Sequence, residues 1–323
     1  MKHLFDIFIK SLEEHSAAKP PFNLYEPVDY LLQLGGKRVR PVLCLMACEL
    51  FDTDVKKALA PAIGIEYFHN FTLAHDDIMD AAPLRRGKET MHTKYNLNTA
   101  ILSGDVMFAK AYSYICQVDS SILGLVLQTF NQTAIEVCEG QQYDMDFETL
   151  PVTEVSVEDY LKMIELKTAV LIAASLKIGA LVGGASIEEA QNLYEFGRLA
   201  GIAFQLQDDI LDTYSTDENF GKQVGGDIIQ NKKTFLLLEA VNLADEKNRN
   251  NILHCISLQN FDKEEKINTI KNIFNLLKIK EKAEKLMESY YQKACEHLDA
   301  TKLSMKKKQS LLTFIDYLMK RKQ

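Results

Sequence analysis

Asp76-Asp77-Ile78-Met79-Asp80 and Asp208-Asp209-Ile210-Leu211-Asp212 are two copies of one acidic pattern, each set in an otherwise apolar stretch. On an α-helix the first and last Asp of a copy share a face within about 40° of one another, and the middle one lies roughly 100° round. Each copy can therefore present a carboxylate pair to one point. Hard oxygen donors of this kind suit Mg²⁺, which keeps several waters and takes one or two carboxylates plus substrate phosphate oxygens; Zn²⁺ would want His or Cys. Two such copies facing each other could hold a diphosphate through metal ions. A lone copy is more often a solvated helix face. Here Phe71, Leu73, Ile78 and Met79 surround the first, and Phe204, Leu206, Ile210 and Leu211 the second. Carboxylates embedded in apolar surface are costly unless paired or metal-bound, so duplication with burial points to function.

Cations supply the other half of the chemistry. Gly35-Gly36-Lys37-Arg38-Val39-Arg40-Pro41 packs three of them between a glycine pair and a proline, the pattern of a loop-to-helix junction in which Pro41 starts the next helix. Backbone amides and cations there could cradle an anion. Arg85-Arg86-Gly87 follows the first acidic copy closely. Lys167, Lys222, Lys232 and Lys233 come later, the last three near Phe220-Gly221-Lys222 and Gly225-Gly226-Asp227. A single Lys or Arg is ordinarily a solvated charge, but the density of glycine-adjacent cations near acidic motifs weakens that reading. His69, between Phe68 and Asn70, would ordinarily be a core residue. It nevertheless lies two helical turns before Asp76 on the same face, which suits a donor to a substrate diphosphate. His75-Asp76 also fits the metal pair of a phosphohydrolase of the His-Asp type, but His3, His15, His92, His254 and His297 are too scattered to complete it.

Taken in order, Gly-Gly-Lys-Arg-x-Arg-Pro at 35–41, His69, Asp-Asp-x-x-Asp with Arg-Arg-Gly at 76–87, Lys167-Thr168, Gln205-x-x-Asp-Asp-x-x-Asp at 205–212 and the Gly-Lys and Gly-Gly-Asp elements at 221–227 have the spacing of the trans-isoprenyl diphosphate synthases. The chain resembles that family from near Tyr25 to Thr234. Its best-known members make farnesyl and geranylgeranyl diphosphate. The resemblance implies an all-α fold of antiparallel helices around a deep central cavity, usually in a homodimer. It implies that Asp76, Asp77, Asp80, Asp208, Asp209 and Asp212 coordinate Mg²⁺, with about three ions per site. Lys37, Arg40, His69 and Arg86 would bind the diphosphate of isopentenyl diphosphate. Arg85, Lys167, Thr168, Gln205, Lys222 and Lys232 would bind the allylic diphosphate and face its developing cation. Two departures stand out: Glu89 replaces a frequent proline after Arg-Arg-Gly-x, and the Gly-Lys-x-Thr element reads Asn231-Lys232-Lys233-Thr234, where register favours Lys232 and leaves Lys233 open.

The implied reaction makes physical demands that these residues match. Breaking the allylic carbon–oxygen bond creates a carbocation and a diphosphate, whose growing negative charge Arg85, Lys167 and Lys222 would stabilise together with metal. The Thr168 hydroxyl and Gln205 amide oxygen could offer dipoles to the cation, or serve ordinary helix hydrogen bonding. A dry pocket must then hold the cation against the terminal alkene carbon of isopentenyl diphosphate. Proton loss to the departing diphosphate completes the condensation, so no covalent enzyme intermediate is expected.

Phe71 lies five residues before Asp76, about 7.5 Å along the helix, where a growing chain would travel, and Thr72, one nearer, is small. In the family that pairing resembles enzymes that stop at geranylgeranyl length, and aromatics at both positions resemble farnesyl synthases. Geranylgeranyl diphosphate is therefore the expected product, with farnesyl diphosphate the alternative; Phe71 could instead simply pack between helices. A terpene cyclase or head-to-head synthase would not need Lys37, Arg40, His69 and Arg86 for a second diphosphate. A non-catalytic partner subunit would be expected to lack carboxylates in one motif.

The elements that position these residues should be helices. The 323-residue chain has only 15 Gly and 7 Pro and long Leu/Ala/Glu/Lys-rich stretches. Leu193, Phe196, Ala200, Ala203 and Phe204 recur at helical spacing towards the second acidic motif. No linker divides the sequence, so residues 1–323 are expected to form one polyprenyl synthetase domain. A net charge of −8 argues against non-specific nucleic-acid binding. Lys306-Lys307-Lys308 reads as a solvated helix face. Cys44, Cys48, Cys116, Cys138, Cys255 and Cys295 lack zinc-type spacing and fit a reducing cytoplasm, with Cys44 and Cys48 packing in the core. Asp6, Lys10, Glu13 and Glu14 interrupt any signal peptide, and Ala169 to Ala185, which carries Lys177, falls short of a membrane span.

Overall fold

The computed structural model describes residues 2–15, 19–215 and 225–319, so Phe220, Gly221 and Lys222 lie outside the described residues. The fold is all-α, as expected from a sequence with few helix breakers. In chain order the helices are α1 (Lys2–Glu14), α2 (Phe22–Gln33), α3 (Val39–Glu49), α4 (Leu59–Met79), α5 (Met91–Lys94), α6 (Leu97–Ile115), α7 (Ser120–Thr149) and α8 (Val157–Ile164). They continue as α9 (Val170–Gly183), α10 (Ile187–Tyr214), α11 (Gly226–Ile229), α12 (Phe235–Leu243), α13 (Glu246–Ser257), α14 (Lys263–Leu276), α15 (Ile279–Ala300) and α16 (Met305–Met319). One short hairpin departs from the expectation of helix: β1 (Leu84–Arg85) pairs antiparallel with β2 (Lys88–Glu89). The turn residues Arg86 and Gly87 both have positive φ, 53° and 73°, the backbone that a two-residue hairpin loop requires.

The chain groups into two compact units, residues 1–132 with 174–194, and residues 133–173 with 195–323. In the first, α4 is apolar on nearly every side. Ile63, Ile65, Tyr67 and Phe68 are fully buried with Leu43, Leu45 and Phe130, as a helix without a polar face must be. Glycines set how closely α6 approaches α4. A Cβ on Gly64 would stand 2.8 Å from the Ala111 carbonyl oxygen, and one on Gly104 would stand 2.4 Å from His75 Nε2. These contacts join the start of α4 to the end of α6 and the end of α4 to the start of α6. They fix the axial position of the helix that carries Asp76 and Asp77. Cys44 and Cys48 are buried on α3, where the Cys44 carbonyl meets Gly179.

In the second unit Phe147, Tyr160, Ile202, Leu206, Ile210, Phe235, Leu236 and Phe274 form the core. Ser156 opens α8 with a capping box shared with Asp159. A π-helical segment, Glu165–Ala169, joins α8 to α9. The resulting helix, Val157–Gly183, is longer than the apolar stretch read from sequence and, by length and composition, could cross a membrane. Its most apolar window is 78% buried inside the structure, the pattern of a core helix. Lys308 also departs from expectation. It is buried, and its ammonium donates to the Asp299 carbonyl at 2.8 Å near the end of α15, where carbonyls without helical partners favour a cation. α3 begins two residues before Pro41, which the first turn tolerates because its N–H groups have no helical acceptor.

Candidate active site

In the first unit the polar residues Glu66, His69 and Asn70 interrupt the apolar run of α4 before Asp76, Asp77 and Asp80. Arg38 caps the start of α3 in the left-handed conformation, φ 48°. Its buried guanidinium donates to the Glu66 carboxylate and to the Leu32 carbonyl. Asn70 Nδ2 donates to the same Glu66 oxygen at 2.9 Å and to the Glu66 carbonyl at 2.8 Å. Arg40 Nη1 lies 3.3 Å from His69 Nε2. A guanidinium only donates, so Nε2 is the acceptor and the imidazole proton sits on Nδ1. Withdrawal from water first, and then the guanidiniums of Arg40, Arg86, Arg85 and Arg38, hold His69 well below the usual imidazole range. Arg40 thus meets a neutral histidine whose protonation the charges of Arg86, Arg85 and Arg38 also disfavour.

The hairpin supplies two of them. Arg86 donates to the Gly35 carbonyl, and a Cβ on Gly36 would lie 2.8 Å from its Nη1. Gly36 also has φ 130°, so only glycine suits both the backbone and the neighbour. Arg85 Nε reaches the two oxygens of buried Asp77 at 2.9 and 2.8 Å. Tyr30 donates to the Glu89 carbonyl at 2.8 Å and Thr90 Oγ1 to the Ala82 carbonyl at 2.7 Å, tying down the hairpin's flanks. Position 89 is therefore engaged through its backbone, which makes the absence of proline there unremarkable. Asp76 is partly buried, Asp80 is exposed at the C-terminal cap of α4, and Lys37 is exposed. One turn back, Phe71 meets His75, Phe108 and Phe68 at ring-centroid distances of 4.7, 5.1 and 5.7 Å. Thr72 Oγ1 bonds back to the His69 carbonyl at 2.8 Å.

In the second unit α10 carries Gln205, Asp208, Asp209 and Asp212. Asp209 is buried and accepts from the Tyr160 hydroxyl and, at 3.2 Å, from Gln205 Nε2. Burial pushes its carboxyl up to about 8, against the lowering effect of the Tyr160 bond. The Gly-Gly-Asp element folds onto Asp212. Gly225, at φ 79°, donates to the Asp212 carbonyl at 2.7 Å, and Asp227 N donates to its carboxylate at 3.0 Å. Asp208 is only partly buried. Lys167 and Thr168 lie in the π segment, a local widening that often marks functional positions. Gly140 of α7 admits that segment, since a Cβ there would stand 2.3 Å from Lys167 N. Lys167 Nζ bonds Asp144 at 2.6 Å. Lys232 and Lys233 line a cavity of about 430 Å³ together with Asp144, Phe147, Glu148 and Gln230. Burial lowers Lys233, offset by Glu148. Lys222 lies outside the described residues.

Within each motif, then, the three aspartates are in different situations. Among the described residues no three His, Cys, Asp or Glu form a set that could hold an ion unaided. Asp76, Asp80 and Asp208 offer oxygen donors only, which fits Mg²⁺, a cation that takes one or two carboxylates and draws its remaining oxygens from phosphates and water. Sequence reasoning missed Glu66, Asn70, Tyr160 and Asp144. Glu66 and Asn70 carried a signal, as polar residues in an apolar run. Tyr160 and Asp144 meet their partners only through the tertiary fold.

Residues 22–274 match the family model described as polyprenyl synthetase. A geranylgeranyl diphosphate synthase of Methanosarcina mazei is 41% identical over 232 residues, 71% of each chain. Heptaprenyl diphosphate synthase component 2 of Bacillus subtilis is 33% identical over 98% of this chain and 88% of its own. A crystal structure of a geranylgeranyl pyrophosphate synthase superposes with a TM-score of 0.94 at 42% identity, covering 100% of this chain and 99% of that one. With its acidic and basic motifs set on the helices described above, the chain belongs to the polyprenyl synthetase family, the trans-isoprenyl diphosphate synthases, which are prenyltransferases.

Proposed function

We propose that this protein condenses isopentenyl diphosphate with an allylic diphosphate and releases geranylgeranyl diphosphate. The observation that carries this reading is Arg40 Nη1 at 3.3 Å from His69 Nε2 on the helix of the first aspartate motif, with Arg85 fixed on Asp77 and Arg86 on the Gly35 carbonyl. The guanidiniums of Arg40, Arg85 and Arg86, with Asp77 the acid paired to Arg85, make an anion site with the fork geometry that phosphate oxygens favour. Lys37, Arg40, Arg86 and the Nδ1–H of His69 bind the diphosphate of isopentenyl diphosphate. Arg85, aligned by Asp77, is assigned to the allylic diphosphate, as are Lys167, Lys222 and Lys232 from the motifs that they occupy in the sequence. Thr168 and Gln205 turn their dipoles towards the allylic cation. Mg²⁺ held by Asp76 and Asp80 of the first motif, and by Asp208 of the second, would supply charge neutralisation of the departing diphosphate. Asp209 is held by the bonds it accepts from Tyr160 and Gln205, and Asp212 by the one it accepts from Asp227 N.

The arginines and lysines lower the barrier by stabilising charge as the carbon–oxygen bond breaks. Apolar walls around Phe71 keep water from the cation, which isopentenyl diphosphate then captures. Phe71, with Thr72 small beside it, ends chain growth. The names of the relatives support a geranylgeranyl product. A family match that includes residues of both units supports reading 1–323 as one domain. Leu97, Ile101 and Leu102 of α6, exposed at 50%, 38% and 58%, support a homodimer. We place the enzyme in the cytoplasm. Purified protein incubated with isopentenyl diphosphate, Mg²⁺ and each allylic primer should yield a C20 diphosphate; no elongation of any primer would end this reading.

A further inference from the structure

We infer that Arg38, with Glu66 and Asn70, is a positioning group: the inward-facing arginine of the Lys37-Arg38-Val39-Arg40 run locks the backbone that presents Lys37 and Arg40 to the diphosphate of the non-allylic substrate. The inference rests on the function proposed above. Gly35, Gly36 and Arg38 all have positive φ, 79°, 130° and 48°. Glycine adopts such backbone freely, but an L-residue such as Arg38 must be held there. What holds it is its own side chain. The guanidinium, in a residue 5% exposed, joins three helices by donating to Glu66 on α4 and to the Leu32 carbonyl in the last turn of α2 while its backbone opens α3. Leu32 is among the carbonyls a helix end leaves without a helical donor. Arg38 stands at an N-cap, where Ser, Asn or Asp would ordinarily bond the helix, and makes no capping bond. Asn70 fixes the orientation of the Glu66 carboxylate.

The cluster is poorly built for stability alone. Glu66 and Asn70 are 2% and 0% exposed, and Arg38 Nε, Glu66 Oε2 and Asn70 Oδ1 are buried without a hydrogen-bond partner. A buried ion pair that leaves polar atoms unsatisfied is often no more stabilising than an apolar replacement. What the arrangement does achieve is directional. It grips the loop from inside, next to Arg40 and His69, while Arg86 grips the Gly35 carbonyl from the hairpin.

The test is the double variant R38M/E66M, which removes both charges together, assayed with each substrate varied in turn and with its melting temperature recorded. KM for isopentenyl diphosphate should rise about tenfold or more, with KM for the allylic primer and kcat changed less than about threefold and thermal stability retained. Arg38→Lys, which keeps the charge and loses the fork, should show the same split in smaller degree. An unchanged KM for isopentenyl diphosphate, or equal rises in both KM values with a fall in melting temperature, overturns the inference. Should the double variant not fold, Asn70→Ala decides: a selective rise in the same KM supports positioning, and its absence, or failure to fold, refutes it. A wild-type enzyme that does not consume isopentenyl diphosphate would instead sink the proposed function.

Discussion

Arg85 lies across the carboxylate of Asp77, with Nε 2.9 and 2.8 Å from its two oxygens and Nη2 2.8 Å from Oδ1. The middle aspartate of the first motif is therefore buried under a cation, while Asp76 is partly buried and Asp80 is exposed. The three should not respond alike to substitution. Asp76→Asn is expected to cut kcat by about 10²–10³ and raise the Mg²⁺ needed for half-maximal rate. Asp77→Asn should leave the Mg²⁺ requirement near wild type and weaken the allylic substrate, because Arg85 loses its anchor. Steady-state rates across a Mg²⁺ titration separate the two.

Gly140 sits against the π segment where any side chain would collide with backbone, its Cβ 2.3 Å from Lys167 N and 2.7 Å from Leu166 C. Neither helix can yield cheaply there. Gly140→Ala should lower stability by about 1–3 kcal/mol and reduce kcat/KM for the allylic primer, since the clash displaces Lys167 itself. Chemical denaturation and primer-dependent rates measure both effects; a variant with wild-type values in each would show that the segment tolerates displacement.

Lys167 bonds Asp144 at 2.6 Å, and α7 thereby holds the ammonium of a residue on the π segment. Asp144→Ala is expected to lower kcat/KM for the allylic substrate by roughly tenfold, with little change in KM for isopentenyl diphosphate. Equal losses towards both substrates would count against this division of labour.

The Phe71 ring belongs to an aromatic group with Phe68 and Phe108, and Phe68 in turn meets Phe130 at 5.4 Å. Phe71→Ala opens space one turn from Asp76 and should shift the product distribution beyond C20, read by mass analysis of the dephosphorylated alcohols. An unaltered distribution would remove Phe71 from chain-length control.

His69 gives a pH signature. Its folded-state value lies well below the ordinary one, which is about 6.5 in an unfolded chain. Below that pH the unfolded state takes up a proton that the folded state refuses. The stability His69 permits is thus complete above about pH 6.5 and declines as the pH falls towards the folded value, by at most about 1.4 kcal/mol per pH unit. His69→Gln should flatten this acid limb relative to wild type, as measured by urea unfolding at several pH values; parallel curves for the two proteins would contradict the assignment.

Much of the site was legible in the chain because its signals are local. Two Asp at i and i+4 share a helix face wherever the helix is placed, and Gly35-Gly36 announces a backbone that other residues resist. The hairpin at 84–89 was not anticipated, since four paired residues give too short an alternation to register against a helical background. Lys308 reads as solvated because nothing near it in sequence reveals the Asp299 carbonyl that accepts its hydrogen bond.

The sequence by itself determined the class of fold, the family and the kinds of ligand that its acids and bases could hold, because those follow from periodicity and residue chemistry. Only the tertiary structure decided the partners. Glu66 lies 28 positions from Arg38 and Asp209 lies 49 from Tyr160, and no local rule connects such residues. Which aspartate is buried under a cation, which histidine nitrogen keeps its proton and which arginine turns inward depend on the charges and carbonyls that packing brings within hydrogen-bond reach. That choice is made by three-dimensional proximity, to which the order of residues along a helix is blind.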